Sequence, residues 1–330
     1  MKKRAFVTGA TGAVGMALVK ELLKSGYSVT VFANPGSERN KRLSVFDDSP
    51  EFQMIPLSLD RLNTFSVQEL QRPDENGVFF HLGWVGTTGE QRNDHALQQK
   101  NVEYTADAVR LAHRLGCDAF VGTGSQAEYG PCTVPLRPDT PTAPVLEYGK
   151  AKLAAGKTVL ALCDELGMRR IWTRILSVYG PYDTEKSMVM YAITSLLKGE
   201  RPKFTSGEQM WDYLFSEDAA SALVLAGEKG RNGAIYCLGS GRARPLKEYI
   251  CEIRDCINPD LMVGIGEVVL TDSEMKNKAA VTYLCADLTE LTEDTGFVPG
   301  TSFVTGIKKT VDRLVQGVKN EENQYIDSLL

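Results

Sequence analysis

The sequence predicts an α/β protein with a parallel sheet, covered by helices on both faces, and a smaller C-terminal lobe. Three observations lead there. Short, continuously apolar runs alternate with helical patterns through the first half of the chain, as they do in parallel sheets buried on both faces. A glycine-rich turn, "VTGATGAVG", joins the first apolar run to the first helical stretch. Past about residue 180 the alternation gives way to a looser mixture of helices, polar stretches and short strands.

Each element has its own signal. "RAFVTGA" reads as the first strand, and "VGMALVKELLKSG" as a helix with Val14, Leu18 and Leu22 on one stripe and Gly26 at its stop. "YSVTVFA", "FQMIPLSLD", "GVFFHLGW", "CDAFVGTGS" and "RRIWTRILSVYG" read as strands two to six, with helices near 95–115 and 149–166 between the later ones. Beyond them come helical "KSMVMYAITSLLKG", a polar "ERPKFTSGEQMWDY" and a helix at 217–228. A strand-like "GAIYCLGSG", "GEVVL", a helix at 303–317 and a polar tail, "NEENQYIDSLL", complete the chain. The expected division is a dinucleotide-binding unit over 1–180, joined by strand residues from about 231–240, and a substrate-binding lobe over most of 181–330.

Composition narrows the function. A hydrophobic content of 43% supplies an ample core, and a net charge of −5 argues against a protein that tracks nucleic-acid phosphates. Seven cysteines, an odd number with no C-x-x-C pair, fit free thiols of a reducing cytoplasm rather than a disulfide frame. His81, His95 and His113 form no metal-ligand spacing. "MKKR" precedes a glycine-rich stretch without a clean apolar run, and nothing approaches the ~18 apolar residues of a membrane span. A cytoplasmic protein without a metal site is expected.

Gly9, Gly12 and Gly15 stand at the first strand-to-helix junction. Such a turn lets the backbone approach a pyrophosphate, while the helix N-terminus supplies N–H donors and a favourable dipole. The second strand ends in Ala33 and Asn34, where an acid would take the adenosine ribose hydroxyls of NAD and repel a 2′-phosphate. Ser37, Arg39, Lys41 and Arg42 follow. Loss of the acid with cations downstream favours NADP(H), with NAD(H) still open; a solvated basic loop is the bland alternative. Tyr-x-x-x-Lys occurs twice, at Tyr148 with Lys152 and at Tyr182 with Lys186. The first opens a helix, where positions i and i+4 share a face.

Taken in order, these stretches are similar to an extended short-chain dehydrogenase/reductase of the nucleotide-sugar epimerase/dehydratase type, over nearly the whole chain. "TGATGAVG", "LSLD", "HLGW", "NVEYTADAVRLA", "GTGSQAEYG", "EYGKAK", "RILSVYGP", "QMWDYLFSEDAASAL" and "ADLTELTEDTGFVPGTSFVTGI" carry the resemblance. It implies a Rossmann-type doubly wound sheet, with Ser125, Tyr148 and Lys152 as the catalytic set. It also implies cofactor contacts from Gly9, Thr11, Gly12, Ala13, Val14 and Gly15, from Asn34, Ser37, Arg39 and Asp60, and from Leu82, Gly83, Asn101, Tyr148 and Lys152. Substrate contacts would come from Trp84, Ser125, Gln126, Ser177, Trp211 and Arg242, although both tryptophans read more readily as packing than as substrate stacking.

The chemistry needs these residue types. In the reaction that the resemblance implies, hydride moves between nicotinamide and a sugar carbon while a proton moves on the attached oxygen. A phenol, with a pKa of about 10, serves as acid/base at neutral pH only if a nearby cation such as Lys152 stabilises its phenolate. Three departures bear on substrate: Ala33 and Asn34 at the NAD-selecting position, Ser177 for a diphosphate-binding Asn, and Trp211 for an Arg. Arg242 and Arg244 would supply replacement cations. The expected activity is reduction of a keto carbon of a nucleoside-diphosphate sugar, of the 4-keto-6-deoxy type. A 4-epimerase with bound NAD, a carbonyl reductase of a non-nucleotide substrate and a non-catalytic dinucleotide sensor are the alternatives. The resemblance also implies a homodimer.

Overall fold

The computed structural model describes residues 3–70, 77–269 and 281–327. Seven strands form one parallel sheet: β1 (Arg4–Thr8), β2 (Ser28–Ala33), β3 (Phe52–Pro56), β4 (Gly77–His81), β5 (Cys117–Ser125), β6 (Arg169–Ile175) and, after four strands that lie outside it, β11 (Ile235–Leu238). Their spatial order is β11-β6-β5-β4-β1-β2-β3. The chain lays β2 and β3 to one side of β1 and then returns to lay β4 on the other side. That reversal opens a crevice at the C-terminal ends of β1 and β4, where doubly wound sheets bind ligands.

Alternation along the strands builds two cores. Ala5 and Val7 face α1 (Ala13–Lys24) and α5 (Ser216–Lys229), packing with Leu18, Leu22, Val31 and Leu223. Phe6 points to the other face, covered by α2 (His95–Arg114) and α3 (Glu147–Glu165). The register aligns Phe6 with Phe79 and Phe79 with Phe120, giving stacked rings 6.3 and 5.5 Å apart. Trp172 of β6 is packed beside Gly122, Gly124 and Gly156; a Cβ at Gly122 would stand 2.5 Å from its ring. The glycines of "GTGS" therefore make room for an indole behind the end of β5.

The second lobe holds α4 (Met188–Leu197), α6 (Leu246–Ile257) and α8 (Phe303–Asp327), while α7 (Thr289–Thr295) returns to the first core, where its Leu291 packs with the residues of α5 and β11. Its core gathers Tyr179, Val189, Ile193, Phe215, Ile250 and Ile307. Short pairs complete it: β7 (Ser177–Tyr179) with β10 (Tyr213–Phe215), β9 (Met210–Trp211) with β12 (Arg244–Pro245), and β8 (Lys203–Phe204) with β13 (Gly264–Ile265).

Three sequence expectations change. The sixth strand is two strands, because the chain leaves the main sheet at Leu176 and β7 pairs with β10; the apolar run hides this break, since both halves contribute buried side chains. "GEVVL" is not a strand over 266–269, the extended pairing lying just before it in β13, and Leu270 is outside the described residues. The final helix continues to Asp327, through the stretch read as a polar tail.

Candidate active site

At the crevice the two backbones nearly touch. Gly9 has φ +74°, and a Cβ there would stand 2.5 Å from the Leu82 carbonyl carbon. A Cβ on Gly15 would overlap the Gly9 carbonyl. Gly12 is the N-cap of α1, with no side-chain cap and no acid in the first turn. The first N–H groups of α1, from Ala13, Val14 and beyond, thus face the crevice without a competing protein anion, which is what a pyrophosphate requires. Leu82, just past β4, is tied by its N–H to the Thr8 carbonyl.

A cleft of about 490 Å³ runs from this turn past the end of β2, lined by Gly9, Thr11, Asn34, Ser37, Arg39, Asp60, Gly83 and Trp84 among others. Asn101 lies beneath the cleft rather than on it. Its amide accepts from the Val85 N–H at 2.8 Å and donates to the Val85 and Leu97 carbonyls, so it positions the 83–86 loop. Of the four polar or cationic residues after β2, two are engaged elsewhere. Lys41 pairs with Glu38 at the surface, and Arg42 donates to the carbonyls of Thr11 and Tyr182. Arg39 and Ser37 remain at the cleft. Asn40, overlooked in the sequence, lines it too, and its Oδ1 is buried with no hydrogen-bond partner among the described residues.

Ser125, Tyr148 and Lys152 come together at the end of β5. Ser125 is the N-cap of a short turn, its hydroxyl accepting from the Ala127 N–H. Tyr148 lies in the first turn of α3, and burial pushes its phenol above the ordinary range; interaction with the Ser125 hydroxyl and the charge of Arg92 oppose this, and Glu128 adds to it. Lys152 is buried, donates to the Thr123 carbonyl at 2.7 Å, and stands 3.7 Å from the Trp84 ring centroid and 6.0 Å from that of Tyr148. Trp84, edge-on to Tyr148 and hydrogen-bonded to Gln98, is a wall of this site. His81 is buried between Thr8 and Thr105 and pushed down to about 3 by burial and Lys152, which makes it a neutral structural group.

Burial also pushes Lys152 down to about 7 from 10.5, against the opposing pull of Glu128. Between those values the unfolded chain binds more protons than the folded one, so this group's contribution to stability is complete above the higher value and is lost as pH falls toward the lower. Lys152→Met is expected to flatten the stability of the free protein over that interval. Urea unfolding of parent and variant at several pH values checks it, and identical slopes would refute the burial of a titrating ammonium.

Behind Ser125 is a group the sequence reading missed. Glu128 is fully buried, accepts from the Ser125 N–H at 2.9 Å and the Trp172 Nε1–H at 3.1 Å, and pairs with Arg174 at 2.7 Å. Its sequence signal was present: Ser-x-x-Glu in "SQAE" is a capping box. Gln126 is half-buried in the same turn.

The substrate-side departures prove to be neighbours. The Trp211 indole donates to the Ser177 hydroxyl at 2.8 Å, so the two unusual residues satisfy one another. Asp212 is buried and accepts from the N–H groups of Ser240, Gly241 and Ala286, fixing the 239–241 loop against β10. Arg242 is exposed beyond that loop, on the rim of a cavity of about 1150 Å³ reaching toward α7 and α8. Arg244 is neutralised by a two-point contact with Glu252 at 2.7 and 2.8 Å, leaving Arg242 as the freer cation of the two.

Residues 5–239 match the model of the NAD dependent epimerase/dehydratase family. The chain belongs to this family. It is an enzyme of the extended short-chain dehydrogenase/reductase type, with the Rossmann-type sheet expected of one. Among relatives, the dTDP-glucose 4,6-dehydratase of Neisseria meningitidis serogroup B is 24% identical, the alignment covering 94% of this chain and 92% of the relative. A UDP-N-acetylglucosamine 4-epimerase from Methanobrevibacter ruminantium M1, in complex with UDP-N-acetylmuramic acid, superposes with a TM-score of 0.83 at 20% identity, covering 96% of this chain and all of that one. A UDP-glucuronic acid 4-epimerase from Bacillus cereus, in complex with UDP-glucuronic acid and NAD, has a TM-score of 0.78 at 20% identity over 95% of this chain and 99% of that one. Among the described residues no group of His, Cys, Asp and Glu could hold a metal, and no helix is long and apolar enough to cross a membrane.

Proposed function

We propose that this enzyme reduces a keto carbon of a nucleoside-diphosphate sugar, of the 4-keto-6-deoxy type, with NADP(H) as the preferred dinucleotide. The observation that carries the reading is the convergence of Ser125, Tyr148 and Lys152 beside the glycine turn, at the strand-order reversal of the sheet. The residues present fit a dinucleotide: the uncapped start of α1 for the pyrophosphate, and the unpartnered Asn40 Oδ1 for a donor such as a ribose hydroxyl, which both dinucleotides carry. Asn34 in place of an acid, with Ser37 and Arg39 beside it, supports a 2′-phosphate.

A dinucleotide held at the glycine turn and the cleft beyond β2 would supply the hydride for the keto carbon. Tyr148 gives its proton to the oxygen of that carbon, becoming phenolate as the carbonyl becomes an alcohol. Ser125 orients the oxygen. Lys152, held between the Thr123 carbonyl and the Trp84 ring, supplies cationic charge beside the phenolate and would hold the adjoining ribose of a bound dinucleotide. Trp84, Gln126, Ser177, Trp211 and Arg242 bound the substrate side. The enzyme is inferred to act as a homodimer in the cytoplasm.

An epimerase is the second reading, favoured by the 4-epimerases among the structural neighbours and by the same phenol and lysine serving both reactions. It returns its hydride and keeps its cofactor. The test is NADPH and NADH binding, followed by NADPH oxidation with a panel of 4-keto-6-deoxy and 4-hydroxy nucleotide sugars. Net oxidation of NADPH with a keto sugar, and tighter NADPH than NADH binding, are expected. Co-purified NAD with no net oxidation, or tighter NADH binding, would overturn the reductase or the NADP assignment respectively.

A further inference from the structure

We propose that Arg92 is the electrostatic partner of Tyr148, a positioning residue whose guanidinium acts through the phenol by stabilising its phenolate during proton transfer. The inference rests on Tyr148 being the acid/base group. Arg92 belongs to the 3₁₀ turn Gly89–Asn93, between the Trp84 loop and α2. Its guanidinium carbon stands 4.8 Å from the Tyr148 ring centroid.

What singles it out is how little else holds it. Other buried or half-buried arginines here are tied down: Arg42 to two carbonyls, the buried Arg174 to Glu128 and the Pro138 carbonyl, Arg244 to Glu252. Arg92 has no ion pair or hydrogen bond among the described residues, and its Nε is buried without a partner. Burying a guanidinium N–H unpaired is costly, so a structural role alone leaves the placement unexplained. Stacking on the phenol gives it a purpose, because a cation over an aromatic face is attracted by the ring and more strongly by the phenolate.

The remaining charges around Tyr148 do not duplicate it. Lys152, on the same helix, is 6.0 Å from the ring centroid and is itself pushed toward neutrality. Glu128, from the turn after β5, opposes phenolate formation and is paired with Arg174. Glu147 of α3 pairs with His95 of α2 and with Lys150 at the surface. When Tyr148 passes its proton to the substrate oxygen, one negative charge appears on the phenol, and Arg92 is the cation over its ring.

The test is an ultraviolet titration of tyrosinate in the full-length protein with NADP⁺ or NAD⁺ bound, whichever binds more tightly. Subtracting the Tyr148→Phe curve isolates one phenol among the 12 tyrosines. Arg92→Gln is expected to raise the Tyr148 midpoint by about one unit, and Arg92→Lys, which keeps the charge, to leave it within a few tenths. An unchanged midpoint in Arg92→Gln overturns the proposal, as does an equal shift in Arg92→Lys, which would make the effect one of shape. Failure of the acid/base reading shows separately, as turnover retained by Tyr148→Phe.

Discussion

Tyr148→Phe is expected to bind dinucleotide within a few-fold of the parent and to lose about 10²–10⁴-fold in turnover. The half-buried side chain lies against Trp84 and under Arg92, and both contacts are made by the ring, which Phe retains. Only the hydroxyl is lost, together with its interaction with Ser125. Affinity and chemistry therefore separate. The glycine turn and the cleft beyond β2, where Gly9 and Asn34 lie, are untouched by the change, so binding measured by titration should persist. Proton transfer should not, since neither the Ser125 hydroxyl nor Lys152, bonded to the Thr123 carbonyl, takes the phenol's position. A variant that turns over at a tenth of the parental rate or better would remove Tyr148 from the acid/base role. Loss of cofactor affinity in proportion to turnover would point instead to a collapsed pocket.

The main sheet was legible because its signal is strong and repeated. The central strands β1, β4 and β5 are largely buried apolar runs, and the α-helices that cross between strands carry an apolar stripe facing the sheet. The phosphate turn was legible for a different reason: Gly9 and Gly15 occupy positions where a Cβ collides with backbone, so no other residue type substitutes easily. The site was less legible where function depends on a side chain's partner rather than its identity. Arg42 looked like part of a cationic loop, yet its guanidinium clamps the Thr11 carbonyl, leaving Arg39 for the cleft. Ser177 and Trp211 were separate departures in the sequence, and only the fold brings them into one hydrogen bond. Asn101 was placed on the cofactor by resemblance, and its hydrogen bonds show it shaping the loop that carries Trp84. Arg92 had no sequence signal at all, because its 3₁₀ turn has no periodicity to orient it.

Glu128→Ala is the substitution expected to cost the most stability, about 3–5 kcal/mol. The carboxylate is fully buried and serves three donors: the Ser125 N–H, the Trp172 indole and Arg174. Arg174 is itself 4% exposed, stacked 4.4 Å from the Tyr129 ring centroid, and it also donates to the Pro138 carbonyl at 3.2 Å. Removing the acid leaves a guanidinium in a low-dielectric interior without its counter-charge, and the penalty is that of an unpaired ion rather than the net worth of the pair. The comparison with Glu128→Gln separates charge from shape. The amide keeps the volume and one acceptor oxygen, so it should destabilise less than Ala while still losing the ion pair. Adding Arg174→Met to Glu128→Gln removes the stranded cation and should recover part of the loss, which a double-mutant cycle in urea would measure. Because Glu128 also holds the Ser125 backbone through the capping box, the surviving folded variants should lose turnover along with stability. A Glu128→Ala protein within about 1 kcal/mol of the parent would mean that water or a shifted side chain compensates Arg174. In that case the buried pair would not be what holds the end of β5 in place.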